Sequence, residues 1–483
     1  MVGQGSSQTP SQQRPSLQDD AGLLLPFDLA AAAPSDKLVF AHYFPPLPVS
    51  LDDREPDEDY YAREYLDPEG EDGKHRAYGG HVRDRPLGRP PVQDADWRLQ
   101  DMRTEVRQAI AGGLDGFTVD ILQLEGGAEP RLWENVELLM QAADDVDPGF
   151  RVVLMPDLSG SLVDDGPQAL AEGMAQLGRS PSAHRLPDGR LVVAPFKAEA
   201  HPVDWWRSFL RAMEDEHDEP VALLPTFVAD ERRFAADFAE ISYGMSTWGS
   251  RNPQHNDPDA TGPQSPRARA RRLQALGPVW MQPVSVQDAR PNQAIFDEAE
   301  NTTNLRASWA LARRTDAELV QIATWNDYTE GTAIAPSVKH GWAFLDVSAY
   351  YATWFRTGEP PPVVRDAVYL THRAQPVDAE PVFPQSELMR LRGGSPARDT
   401  VEALTFLSAP ATVVVQVGDQ EHRCPAQAGV DTCTVPLSEG VVRAHVLRGD
   451  EQVAAVTSPV RVTDEPYVQD LEYVGVSSLR SPA

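Results

Sequence analysis

Residues 320–330 read VQIATWNDYTE, an apolar strand pattern that runs straight into Trp325, Asn326, Asp327, Tyr328 and Glu330. The pattern predicts a buried strand whose exit carries two carboxylates and two aromatic rings. Counted with its own start at residue 319, this strand is the last of eight similar stretches, the others at 37–44, 114–122, 151–158, 190–196, 221–227, 240–248 and 279–286. Their near-continuous apolar runs are what parallel strands covered on both faces require. Helical spacing fills the intervals. Leu99, Met102, Val106 and Ile110 form one stripe closed by Gly112 and Gly113, and Leu132, Val136 and Leu139 form a second. Strand and helix alternating eight times predict an α/β chain folded as a (β/α)8 TIM barrel.

Two connections exceed simple turns, residues 45–96 after the first strand and 249–266 after the sixth. Long loops within compact domains are usually functional, and both leave the strand ends where barrel active sites are built. They are expected to wall a cleft. Beyond residue 360 the pattern changes to short β-rich runs, with Gly418-Asp419 and Gly449-Asp450 as hairpin turns. The expected organisation is a disordered N-terminal segment over 1–35, a catalytic barrel over 36–360, a C-terminal β-sandwich over 361–475 and a tail over 476–483. Cys424 and Cys433, the two cysteines, fall in the sandwich close enough in sequence to bridge one hairpin, a pairing suited to an oxidising compartment.

The net charge of −30 sets up a field that repels phosphate backbones and anionic lipids. Nucleic acid and membrane are therefore not expected partners, and no apolar run approaches the ~18 residues of a membrane span. A neutral substrate is expected. No His pair stands at zinc spacing, no G-x-S-x-G elbow occurs and no Gly-rich phosphate loop follows a strand. The acid cluster Asp67, Glu69, Glu71 and Asp72 lacks the spacing of a calcium loop and reads as a solvated face. Neither a metal nor a cofactor is expected.

What the predicted barrel mouth does supply is carboxylates and rings. Asp120, Asp157, Glu199, Asp288, Asp327 and Glu330 fall at or just past strand ends, with Tyr43, Phe44, Trp248, Trp325 and Tyr328 among them. Cleaving a glycosidic bond takes one carboxylic acid to protonate the leaving oxygen and a second carboxylate as base or nucleophile, with rings for the sugars to stack on. Asp327 and Glu330, three apart on one turn, are the leading pair. His42 and Tyr43 are candidates for binding sugar hydroxyls, Asp157 and Glu199 for orienting water or hydroxyls, and Trp248 for a stacking platform.

At these residues a resemblance emerges. TWNDYTEG at 324–331, AHYFPP at 41–46, GLDGFTVDI at 113–121 and VVAPFKAEA at 192–200 resemble glycoside hydrolase family 71, the α-1,3-glucanases or mutanases. The likeness covers most of 38–358, and the whole chain resembles the bacterial branch. It implies a secreted, endo-acting hydrolase of α-1,3-glucan, a neutral polysaccharide, working extracellularly and without a cofactor; no signal peptide is visible in this chain. It also implies Asp327 and Glu330 as the catalytic pair, with a further catalytic acid in the strand-two motif. Asp115 and Asp120 both fall in that window, and Asp120 is preferred because it sits at the top of the strand. Trp325, Asn326 and Tyr328 join the expected substrate contacts. Where fungal members read Gly-Glu-Ser, this chain has Thr329-Glu330-Gly331, a departure that bears on the fine geometry of the acid. An inverting mechanism is expected, with Asp327 as base and Glu330 as acid. The alternatives are an α-glycosidase of another linkage, such as an α-mannan, and a non-catalytic polysaccharide-binding protein.

Overall fold

The computed structural model describes residues 25–29, 35–277 and 279–480. Strands β1 (Leu38–Tyr43), β2 (Gly116–Ile121), β3 (Arg151–Pro156), β4 (Leu191–Val193), β5 (Val221–Leu223), β6 (Thr226–Phe227), β7 (Gly244–Thr247) and β8 (Val279–Val284) are parallel neighbours in the barrel sheet. Past β9 (Asp288–Arg290) and β10 (Ile295–Asp297), strand β11 (Leu319–Ile322) lies between β8 and β1. β5 and β6 are two pieces of the fifth strand, interrupted at Leu224 and Pro225, because β5 pairs with β4 and β6 pairs with β7. The ring of eight therefore closes.

Each strand position predicted from sequence is occupied, with ends trimmed by one to four residues in most cases. Three of the surrounding helices, Pro130–Val146, Pro167–Gly178 and Pro266–Gln274, open on proline, whose fixed φ suits the first turn and whose missing N–H costs nothing there. Ser265 caps the last of these by accepting from Ala268 N. Asp204 lies inside the first turn of helix Val203–His217 and pairs with Arg207. Gly112 ends helix Trp97–Ala111 against Leu345 of the last barrel helix, whose Cδ1 would lie 2.4 Å from an added Cβ, so a larger residue there would displace that side chain.

The C-terminal part is two antiparallel four-stranded sheets. One orders Gly429–Pro436, Thr400–Leu407, Ala367–Arg373 and Tyr473–Ser477; the other orders Gln420–Ala426, Ala411–Val417, Val442–Arg448 and Glu451–Thr457. Val368, Leu370, Val401 and Ala403 meet Val413, Val415 and Ala444 between the sheets. The opposite face of the first sheet sends Tyr369, Leu404 and Phe406 into the barrel's outer core, where Phe406 packs edge-on to Tyr350 of helix Ala343–Thr357. This β-sandwich is thus seated on the last barrel helix. Cys424 and Cys433 are joined by a disulfide with Cα atoms 5.8 Å apart. Their strands are consecutive but belong to different sheets, so the bond staples the two sheets together and does not close a hairpin within one.

The N-terminal expectation over 1–35 falls mostly outside the described residues. Residues 25–29 within it are packed: Phe27 bridges Val363 and stacks edge-on to Tyr350. Tail residues 481–483 also lie outside the described residues. Among the described residues no helix is long and apolar enough to cross a membrane.

Candidate active site

Side chains on a barrel strand alternate between interior and helix layer. On β1, Phe40 joins Met155, Leu224 and Met281 inside, while Ala41 and Tyr43 join the outer core, so His42 points inward at the mouth. The same parity on β2 turns Val119 and Ile121 outward and brings Asp120 beside His42, with Nε2 3.7 Å from Asp120 Oδ2. His42 Nδ1 lies 3.1 Å from Met155 Sδ, and the ring meets Trp248 edge to face with centroids 5.0 Å apart. Asp120 Oδ1 is buried and has no hydrogen-bond partner. Asp115, at the other end of this strand, is tied to Val39 N and Arg356, which puts it at the barrel's far mouth.

Beyond β11 the chain folds into a tight loop. Asp327 N donates to Thr324 Oγ1, and Asp327 Oδ1 accepts from Thr329 N at 3.0 Å, Thr329 Oγ1 at 2.6 Å and Glu330 N at 3.1 Å. One carboxylate oxygen, Oδ1, thus takes all three bonds. Glu330 Oε1 lies 2.5 Å from Arg290 Nη1. Arg290 in turn grips Asp288 with two parallel bonds, Nε to Oδ1 at 2.8 Å and Nη2 to Oδ2 at 2.6 Å. Arg251 stands behind: its guanidinium is 5.1 Å from the Trp248 ring centroid, Nη1 donates to Trp248 O, and Nε and Nη2 are buried without acceptors.

Burial sets the acidities here. Asp120 is pushed up to about 6 by desolvation, with His42 opposing and the charges of Asp157 and Asp327 adding. Asp327 is also raised by burial, against the opposing Thr329 and Glu330 hydrogen bonds and the charge of Arg290. Glu330 is pushed up to about 8, first by burial and then by the negative charge of Asp327, which together outweigh Arg290. Arg290 is shared between two carboxylates, Asp288 and Glu330. The loop therefore sets a carboxyl that accepts three hydrogen bonds beside one whose proton affinity burial and the neighbouring charge raise despite Arg290.

Several residues expected at the site lie elsewhere. Tyr43 is fully buried in the helix layer with its hydroxyl on Met102 Sδ at 3.1 Å. Trp325, also without exposure, packs on Phe117 with centroids 5.2 Å apart. Tyr328 sits with Leu47, Tyr61 and Val82 under the 45–96 connection. Asn326 ties that connection down, accepting from Phe44 N and donating to Phe44 O and Leu47 O. The strand ends at Ile322, so alternation does not carry to these residues, and the ring-bearing ones turn toward apolar packing. Asp157 is at the rim with both oxygens on Ser159. Glu199 Oε1 accepts from Val228 N and Ala229 N, joining the exits of the fourth and fifth strands. In the acid cluster, Glu71 binds Tyr60, Lys74 and His75, and Glu69 pairs with Arg76. Among the described residues no group of three or more His, Cys, Asp or Glu is placed to hold a metal ion.

The arginines went unread in the sequence. Asp288-Ala289-Arg290 carried the available signal, since residues two apart on a strand share a face. Arg392 had none: it follows Arg390–Leu391, a two-residue strand from the C-terminal part that pairs with β10 at the barrel rim and brings Arg392 Nη2 to 3.3 Å from Asp288.

The chain is similar to a mutanase of Penicillium rubens, 23% identical over 390 residues that span 76% of this chain and 83% of the relative. It is also similar to a glucan endo-1,3-alpha-glucosidase of Schizosaccharomyces pombe, 20% identical over 408 residues, 79% of this chain and 91% of the relative. Among solved structures, the GH99 endo-alpha-mannosidase of Bacteroides thetaiotaomicron shares the fold, with a TM-score of 0.50 and 15% identity over 67% of this chain and 98% of that one. The sequence profile described as Glycosyl hydrolase family 71 matches residues 92–476. That span takes in the barrel from β2 onward, the Asp327–Glu330 loop and nearly all of the sandwich, and the chain accordingly belongs to glycosyl hydrolase family 71 and is a glycoside hydrolase.

Proposed function

We propose that the enzyme hydrolyses α-1,3-glucosidic bonds within a neutral α-glucan, as found in mutan or fungal cell walls, and that it acts outside the cell, where such polymers lie. The names of the two fungal relatives support the linkage. The observation that carries the reading is the Asp327–Glu330 loop past β11, which brings together a carboxyl that accepts three hydrogen bonds and a carboxyl that faces Arg290. Glu330 protonates the glycosidic oxygen as the bond to the anomeric carbon breaks. Asp327 takes a proton from the water that attacks that carbon from the opposite face. Asp120, beside His42, faces the reacting sugar as the third acid, and the half-exposed Trp248 offers a ring to a neighbouring sugar.

One displacement by water inverts the anomeric centre. Incubating the protein with insoluble α-1,3-glucan should release reducing ends, and proton NMR in the opening minutes should show β-anomers ahead of α-anomers. No release of reducing ends would reject the substrate. An initial α signal would mean a covalent glycosyl-enzyme, with Asp327 or Asp120 as nucleophile.

A further inference from the structure

Glu330 does not meet Arg290 by chance of side-chain reach. Ala289 N, between Asp288 and Arg290, donates to Glu330 O at 2.8 Å, so β9 anchors the catalytic loop by its backbone and faces it with its side chains. Arg290 has Nε and Nη2 on Asp288 and Nη1 on Glu330, all three nitrogens on carboxylates, and cannot swing away without losing a bidentate pair. Asp288 is itself held: it lies opposite Asp297 on β10, and Arg392 bridges the two, Nε to Asp297 Oδ1 at 2.9 Å and Nη2 to Asp288 Oδ2 at 3.3 Å.

We propose that Arg290, fixed by Asp288, is a positioning residue for Glu330, aiming its carboxyl and setting the pH at which it gives up its proton. The inference rests on Glu330 being the proton donor. Every charged group facing Glu330 enters the balance. Asp327 lies on its own loop, Arg290 and Asp288 on β9, and Arg251 on the connection after β7, with its Nε 4.0 Å from Asp288 Oδ2. Behind the loop, Glu472 Oε1 would lie 2.7 Å from a Cβ on Gly331, and Glu472 is paired with Lys339. Of these, only Arg290 touches the carboxyl with a full charge, and Asp288 tempers that charge.

The arrangement predicts opposite shifts for two neutralising substitutions, read in the alkaline limb of the pH–rate profile on α-1,3-glucan oligosaccharides. Arg290→Gln removes the cation that favours the carboxylate, so the limb should move up by about one pH unit or more. Asp288→Asn leaves Arg290 to Glu330 alone, so the limb should move down. Arg290→Lys keeps the charge without the planar fork; its limb should stay within about half a unit of wild type while kcat falls. A purely structural role would lower kcat or Tm without opposed limb shifts. If Arg290→Gln fails to fold, Asp288→Asn and Arg290→Lys still decide. Shifts in the same direction, or no shifts, overturn the inference. Glu330→Gln separates the two levels. If the limb persists in that variant, the reading of Glu330 as donor is what fails; if it vanishes there but stays fixed in the other variants, the positioning role fails.

Discussion

At the scale of residues, Asp327 and Glu330 are divided by what they touch. On the proposed assignment Asp327→Asn removes the proton acceptor, and Glu330→Gln removes the donor but keeps a group that can face Arg290. Each should lower kcat on polymer by at least about two orders of magnitude, the scale of general acid–base catalysis, while the circular dichroism spectrum of the folded protein is retained. On an activated aryl glycoside, whose leaving group needs little protonation, Glu330→Gln should recover much of its rate and Asp327→Asn should not. Recovery by Asp327→Asn and not by Glu330→Gln would reverse the assignment, and equal recovery would overturn it. Trp248 touches His42, Phe196 and the Arg251 guanidinium, and it remains half-exposed. Trp248→Ala should weaken oligosaccharide binding by about 1 to 3 kcal/mol, as losing an aromatic anchor does. Calorimetric titration showing unchanged affinity would make it packing alone.

Among the elements, legibility followed burial and period. The barrel strands are apolar on both faces and announced themselves. In the sandwich, Gln420–Ala426 and Gly429–Pro436 did not, because both are edge strands and carry charged or polar residues where a core strand would carry apolar ones. Alternation along β1 and β2 turns His42 and Asp120 inward, but β11 ends at Ile322, so a position just past a strand end does not disclose that Trp325 and Tyr328 turn toward apolar packing. Asn326 instead satisfies three backbone groups of the first barrel connection. Asn326→Ala leaves Phe44 N and Leu47 O without their side-chain partner, while Phe44 O keeps Leu47 N, and should cost about 2 to 6 kcal/mol of stability, measured by chemical denaturation, since each buried unpaired group costs about 1 to 3 kcal/mol. Full stability with a raised KM would restore the substrate-binding reading.

The whole molecule carries a net charge of −30 and buries several carboxyls whose proton affinity burial has raised. Glu105, behind Trp325 and accepting from Val49 N, is pushed up to about 8 by desolvation. Glu472 rises to about 7 and Asp120 to about 6 for the same first reason. In the unfolded chain these groups titrate near ~4. Between the two values the folded protein binds more protons than the unfolded chain, so stability falls as pH rises. The contribution is fully present below about pH 4 and lost as pH passes the folded values toward 8. Glu71 and Asp366, lowered to about 2, act in the opposite sense, but their contribution is lost only as pH falls below about 4. Mutual repulsion of the net negative charge also grows with pH. Stability should therefore peak near pH 4 to 5, and Tm should decline between pH 5 and 8. Glu105→Gln, which stays neutral and keeps an acceptor for Val49 N, should flatten the decline and raise Tm at pH 8 above wild type. A Tm that is level or rising from pH 5 to 8, or a Glu105→Gln protein that declines as steeply as wild type, would show that Glu105 is not the proton-holding group of this core.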